Sequence, residues 1–442
     1  MLYTDKDLKK LIIPLIFEQL LAILVGLVDT VMIAGVGEAA VSGVSLVDSI
    51  NVLVINVTAA VATGGAVSAG HFLGKKDPKN ANRLSWQLLL FSVWFSIIVT
   101  AIFLGAHAPM LKTAFGQVEP EVMENATVYL MITSLSICPL AVYNSCAALF
   151  RTMNDSKTTM LISILMNLIN VVGNSILIYG AGIGVAGAAI ATTVSRIAAA
   201  VIIMRLMFNP GRQISFRGYI TWKMDFQMIR KILYIGIPNG LENSLFQLGK
   251  ILTMSLISTF GTTAIAANAV CGTLASFNVL PGLAINLALL SVASVCAGAG
   301  AFDQARYYTK KLMKLATGCT AVISGMILLF TPLLLKVYQL TPQTEKLAEQ
   351  VLRWNAVFVV LFWVPSFTLP NTLRAAGDVV WTMMIAIVSM WTFRIGFAYF
   401  FSRYFHWSLL GVWIAMSIDW IFRAICYESR YHGHKWEKCM KS

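Results

Sequence analysis

A chain of 442 residues with 58% apolar and only 12% charged residues cannot build a water-soluble surface, and a mean hydropathy of +0.75 places it in lipid. The formal net charge of +13 does not point to nucleic acid, because the Lys and Arg residues sit in short clusters between apolar runs and form no groove-reading module. Seven Cys residues without a CxxC pair, and five His residues without zinc spacing, point to packing positions rather than to a disulfide framework or a metal cofactor.

The first ten residues, MLYTDKDLKK, are polar, and the apolar run behind them carries no small-residue cleavage site. This predicts a first spanning helix, not a signal peptide. Segments able to cross about 30 Å of hydrocarbon at about 1.5 Å per residue follow in order. They are expected at 11–34, 41–70, 87–108, 126–150, 158–180 and 185–207, and again at 231–259, 265–296, 312–330, 347–373, 381–401 and 409–425. The fold class is therefore an all-α polytopic membrane protein of twelve transmembrane helices.

Alternate loops hold most of the 33 Lys and Arg residues, and the opposite loops hold only Lys112, Lys336, Lys346, Arg353 and Arg403. The positive side is the cytoplasmic side, which puts both termini there.

Sliding the sequence by 224 residues brings Pro14, Glu18, Gly37 and Ala40 onto Pro238, Glu242, Gly261 and Ala264. Gly187 and Ile190 likewise meet Gly411 and Ile414, while Arg151 and Asp155 meet Arg374 and Asp378 one residue short of that shift. An even number of spans per half starts both halves on the same side, so the repeats are parallel and related by a pseudo-two-fold axis along the membrane normal. A V-shaped cleft between the two six-helix bundles is the expected substrate path. The organisation read from the sequence is an N-lobe at 1–207, a cytoplasmic linker at 208–230, a C-lobe at 231–426 and a basic cytoplasmic tail at 427–442.

Charges inside lipid cost about 2.5 to 3.5 kcal/mol each at a helix centre, so each needs a partner or a function. Asp29 lies eight residues before Gly37, about 12 Å below the outer end of the first helix. On the fifth span Ser163, Asn167, Asn170 and Asn174 follow at helical spacing and form one polar stripe. Thr192, on the returning sixth span, reaches nearly the same depth as Asn174 and Asp29. One carboxylate and several neutral oxygens suit a hard cation such as Na+, and a lone carboxylate in a low-dielectric lobe could equally take a proton. The competing reading is a satisfied internal network.

These runs carry a family resemblance. LVDTVMIAGVGEAAVSGVSL, GHFLGKKDPKNANR, CAGAGAFDQARYY, LINVVGNSILIYGAGIGVAGAAIATTVSRI and IGIPNGLENSLFQLGK resemble, in order and over nearly the whole chain, the MATE multidrug and toxic compound extrusion transporters. The likeness is closest to the DinF-like bacterial branch. It implies a cation-coupling site at Asp29, Asn170, Asn174 and Thr192, with Asn174 standing where that branch often has a second carboxylate. NorM-like members place a carboxylate where this chain has Phe246, so that C-lobe site is not carried over. The resemblance also implies export of cationic amphipathic drugs or metabolites by a Na+- or H+-coupled antiporter with alternating access.

Pro14 and Pro238 are candidate hinges, although a Pro in the first helical turn would be harmless. Glu18 and Glu242, four residues after them, could line the inner mouth or be ordinary interfacial charges. Asp48 and Asn51, with Asn167, Phe246, Lys250 and Phe277, are candidates for the substrate path. Asp419 could pair with Arg423 one turn away, which would leave Lys250 and Arg394 wanting acidic partners and keep an anionic or zwitterionic substrate open. A lipid-linked-precursor flippase of the same superfamily is the alternative within transport. A membrane-embedded enzyme is disfavoured, because no catalytic dyad, nucleophile elbow or phosphate loop appears. The expected partners are a small-molecule substrate and the lipid bilayer, with no nucleic acid; the expected state is a monomer in the cell membrane, with no cofactor beyond the coupling ion.

Overall fold

The computed structural model describes residues 2–116, 118–405 and 407–439. Its helices in chain order are α1 (Asp5–Ala34), α2 (Glu38–Gly74), α3 (Pro78–Phe115), α4 (Pro120–Ser134), α5 (Ile137–Thr152), α6 (Ser156–Asn174), α7 (Gly184–Met207) and α8 (Phe226–Ser258). There follow α9 (Thr262–Gly298), α10 (Phe302–Val337), α11 (Pro342–Phe358), α12 (Val364–Phe367), α13 (Leu369–Ala375), α14 (Val379–Ser389), α15 (Phe397–Phe405) and α16 (Leu409–His432). Wider π-helical turns extend α6 over Ser175–Gly180, join α11 to α12 over Val359–Trp363, and join α14 to α15 over Met390–Gly396.

Taken as continuous rods these helices number twelve among the described residues. Ten are long and apolar enough to cross a membrane, and the bent pair α4 and α5 makes an eleventh. The rod that falls short is α8, whose Asn239, Glu242, Asn243, Gln247 and Lys250 lower its mean hydropathy despite its 33 residues.

The span expected at 126–150 is broken between α4 and α5 by a 49° bend. Hydropathy runs unbroken there, but hydrogen-bond chemistry does not. Thr133 and Ser134 donate back to the carbonyls of Tyr129 and Leu130 at 2.7 and 2.5 Å, and Ser136 donates to Thr133 at 2.6 Å. Pro139, with no N–H, cannot donate to the carbonyl of Leu135, so the ladder lapses at that point.

Pro14 and Pro238 both lie inside their helices, several residues past the first turn, so the harmless first-turn reading of either Pro does not hold. The carbonyl that Pro14 leaves without its helical donor is that of Lys10. Ser156 at the start of α6 reaches it at 3.2 Å, and donates to the neighbouring Leu11 carbonyl at 2.6 Å. Both α2 and α9 begin after a glycine with positive φ, Gly37 at 141° and its repeat mate Gly261 at 90°, a conformation that side chains strain.

The chain folds as two compact units, Thr4–Gly240 and Leu241 onward with the first residues of the chain. The first unit has cores around Leu84, Leu88, Cys146, Phe150 and Ile203, and around Met32, Val47, Leu111 and Leu130. The second has its core around Ala267, Cys271, Val351, Leu409 and Ala415. The start of α8 belongs to the first unit because Met228 and Ile232 enter its core and α8 crosses α2 backbone to backbone. A Cβ on Gly64 would stand 2.2 Å from the Ile232 carbonyl oxygen and 2.8 Å from the Gly236 nitrogen. Such close approach needs small residues on both helices.

The segment expected as a linker is docked rather than loose. Ile214 and Phe216 are fully buried in the first unit, and Trp86 of α3 stacks edge-on against Phe216 and donates to the Thr221 carbonyl at 2.8 Å. Gln87 completes the attachment, donating to the Lys223 carbonyl at 3.0 Å and accepting from the Asp225 N–H at 2.9 Å.

Candidate functional site

Three helices of the first unit bring Asp29, Asn170, Asn174 and Thr192 into one hydrogen-bonded set. Asn174 donates to Asp29 Oδ1 at 2.8 Å. With its amide turned so that both ends are satisfied, Asn170 donates to the same oxygen at 2.8 Å and accepts from the Thr192 hydroxyl at 3.2 Å. Asn170 and Asn174 are buried, and Asp29 and Thr192 half-buried. The carbonyl oxygen of Asn174, 1% exposed as a residue, has no hydrogen-bond partner among the described residues. Both amides here present N–H groups to Asp29; turned over, they would add two amide oxygens to the carboxylate and the hydroxyl, a donor set that fits a hard cation. Asn167 is half-buried on the same helix face and does not join this set.

The surroundings hold two groups that reading by spacing did not connect with Asp29. Asp48 of α2, which interacts with Asn51 and with Tyr129 of α4, lies close enough to act electrostatically on Asp29. Arg196 of α7 acts on both carboxylates and donates to Ser136 at 2.7 Å, at the α4–α5 break. No ion pair closes on Asp29 or Asp48 among the described residues. Arg196 could have been found from its place one helical turn after Thr192, on the same face. Around Asp29 the first unit thus gathers two carboxylates, of which Asp29 is half-buried and Asp48 exposed, and one half-buried guanidinium.

Glu18 and Glu242 are not bare interfacial charges. Arg151 of α5 pairs with Glu18 at 2.8 Å, and Thr159 of α6 donates to its other oxygen at 3.0 Å. In the second unit Arg374 of α13 grips both oxygens of Glu242 at 2.6 and 2.7 Å. Beside each pair stands another: Asp155 with Arg212 at 2.6 Å, and Asp378 with Arg430 at 2.7 Å. Asp155 also accepts from the first turn of α6, at the Thr158 N–H. Both halves therefore carry the same clamp: the R-x3-D run pairs its Arg with the first helix of the half and its Asp with an Arg at or beyond the end of the last.

Within the second unit Asp419 of α16 serves two cations, which corrects the expectation for Arg394. Arg423 Nε lies 2.8 Å from Oδ1, and Arg394 Nη2 lies 3.1 Å from Oδ2. Ser389 also donates to Asp419. Phe246 of α8 lies among Arg394, Lys250 and Arg423, whose charged groups stand 5.0, 5.2 and 5.7 Å from its ring centre. Lys250 has no ion pair among the described residues. Phe277 is half-buried on α9 beside Asn278, whose hydrogen bond with Ser324 of α10 at 2.8 Å had no signal in the spacing.

The family model MatE matches residues 14–176 and again 238–400. The chain belongs to the MATE family of multidrug efflux transporters. Its two matched stretches are offset by 224 residues, the same shift that superposes Pro14 on Pro238. Members of the MATE family are transporters, not enzymes.

The chain is 26% identical over 440 residues to the probable multidrug resistance protein NorM of Thermotoga maritima, covering 98% of this chain and 93% of that one. It is also 26% identical over 428 residues to the uncharacterized transporter YisQ of Bacillus subtilis, covering 96% and 93%. In fold it is similar to a MOP superfamily transporter from Pyrococcus furiosus, with a TM-score of 0.90 at 21% identity over 99% of this chain and 96% of that one. A multidrug resistance MATE family transporter in an outward-facing conformation gives 0.88 at 22% identity over 97% and 96%.

Proposed function

We propose that this MATE protein is an ion-coupled antiporter of the DinF-like type, exporting cationic amphipathic drugs or metabolites in exchange for Na+ or H+ that enters down its gradient. The observation that carries the reading is the oxygen set around Asp29, in which the Asn174 carbonyl lacks a donor. A cation held there interacts differently with the helices in two conformations of the protein, and that difference in affinity is what shifts the population between them. Alternating access of the two six-helix halves then exposes the substrate site to each side in turn. The proposed setting is a monomer in the cell membrane with both termini in the cytoplasm.

The test is ethidium efflux from proteoliposomes under separately imposed Na+ and H+ gradients, for the wild type and Asp29→Asn. Efflux driven by one gradient and lost in the variant is the expected result. Equal efflux by both proteins in every gradient would remove Asp29 from coupling.

A further inference from the structure

We propose that the cluster of Lys250, Arg394 and Phe246 in the second unit is an anion-binding site, which takes the carboxylate or phosphate group of an amphipathic substrate.

The charges there do not balance. Lys250, Arg394 and Arg423 gather around one aromatic ring, and the carboxylate among them is Asp419, shared by both arginines. Glu242 acts on Arg423 but is itself gripped by Arg374. One ring attracts a cation through its quadrupole and carries no net charge, so Phe246 cannot neutralise three neighbours. Two positive charges are left over, at depths where length argues against escape to the headgroups. Lys250 is eight residues from the end of α8, about 12 Å along the axis, and Arg394 is eleven residues before the end of α15.

Two features give the cluster the form of a site rather than a structural knot. Arg423 is engaged through Nε by Asp419 and through Nη2 by the Ala386 carbonyl at 3.0 Å. Arg394, 6% exposed, keeps a buried Nε with no hydrogen-bond partner among the described residues. Lys250 is exposed beside it and feels its charge. An entering anion meets the ammonium first and the guanidinium behind it. Phe246 and the edge-on Phe367, at 6.3 Å, supply a surface for the apolar body of the ligand.

The repeat reinforces the point. At the shift of 224 that relates the ends of the two matched stretches, Asp29 falls on Thr253, Asp48 on Gly272 and Asn170 on Arg394. At these three positions two acidic residues become neutral and a neutral one becomes basic, whereas Ser195 falls on Asp419 and Arg196 on Trp420. The inference deepens the transporter reading by adding anions and zwitterions to its substrates, and it is tested without any gradient.

The experiment measures equilibrium binding of fluorescein, an aromatic carboxylate, to the purified full-length protein in neutral phosphatidylcholine nanodiscs by fluorescence anisotropy. Saturable binding that weakens about tenfold or more in Lys250→Met, the size of one lost charged hydrogen bond, and largely returns in Lys250→Arg is expected. Fluorescein binding is read at equilibrium and ethidium efflux under a gradient, so loss of coupling and loss of anion binding report separately. If Lys250→Met does not fold, Lys250→Gln replaces it. Displacement of fluorescein by short-chain phosphatidylglycerol assigns the site to a lipid headgroup, and displacement by benzoate alone assigns it to a soluble carboxylate. No saturable binding, equal binding by the neutral variants, or displacement by neither competitor would overturn the proposal.

Discussion

The paired clamps make a quantitative claim about stability, which Glu18→Gln tests most directly. Glutamine keeps the shape of the side chain but has a single acceptor oxygen, so it can accept from Arg151 or from Thr159 and not from both, and the perturbation removes the charge and one of the two hydrogen bonds. The side chains of Arg151 and Glu18 are 16% and 9% exposed, and an uncompensated guanidinium at that depth is costly. Breaking a fully enclosed pair costs about 3 to 5 kcal/mol, so with this residual exposure about 2 to 3 kcal/mol is expected. At about 2 to 4 °C per kcal/mol for a unit of this size, the unfolding midpoint should fall by about 4 to 12 °C. Thermal unfolding in detergent, read by labelling of the buried Cys146 thiol in the same unit, measures it. Glu18→Gln combined with Arg151→Met removes both charges and should recover most of the loss, as a double-mutant cycle requires. A single variant as stable as wild type, or a double variant no better than the single, would refute the pairing argument.

Glu242→Gln should lower the midpoint by a similar amount, read through Cys271 and Cys296 of the second unit, because Arg374 is left in an equivalent position. Gly64→Ala should cost about 1 to 3 kcal/mol by pushing α2 off α8, whereas Gly105→Ala, with nothing within 4 Å of the added carbon, should be tolerated; unfolding midpoints of the two compare them directly. Ser156→Ala should destabilise by about 1 kcal/mol by baring the Lys10 carbonyl and removing the bond to Leu11, and adding Pro14→Ala should recover part of it by restoring the helical donor to Lys10. Burial raises the Asp155 carboxyl, but bonds from Arg212 and Thr158 outweigh it and hold it below the ordinary carboxylate value. The stability it contributes is therefore present above that ordinary value and is lost as pH falls through the lowered one. Unfolding midpoints taken from pH 7 downward should decline less steeply in Asp155→Asn than in wild type.

What the sequence made legible was whatever repeats at helical spacing or at the 224-residue shift. Asn170 and Asn174 are one turn apart and share a face, so their meeting with Asp29 and Thr192 followed from counting residues back from Gly37 and Gly180 and forward from Gly184. The break at Leu135 was hidden because every residue there is apolar or a small hydroxyl, and hydroxyls that bond back to the helix leave hydropathy unchanged. The sharing of Asp419 was half hidden. Arg423 is its neighbour at i,i+4, but Arg394 comes from the π-turn before α15, 25 residues earlier in the chain. Docking of 208–225 on α3 depends on Trp86 and Gln87 finding backbone partners, which no local pattern announces.

Duplication gave each half the same scaffold, and the two kinds of charge in this protein behave differently under it. The clamps Glu18–Arg151 and Asp155–Arg212 recur with the same polarity as Glu242–Arg374 and Asp378–Arg430. A six-helix bundle needs its first helix tied to the middle loop and that loop tied to the end of the bundle, and reversing one partner would strand the other. The interior charges answer to no such constraint. One half gathers Asp29, Asp48 and Arg196, and the other Lys250, Arg394, Arg423 and Asp419, so the sign of the excess charge has inverted while the scaffold pairs have not. Charge that packing does not require, kept in lipid at a cost, is where ligands are to be sought. Under the two proposals made above, a cation binds in the first unit and an anion in the second, and a substrate that carries both signs of charge would need only the second to be held while the first drives its exit.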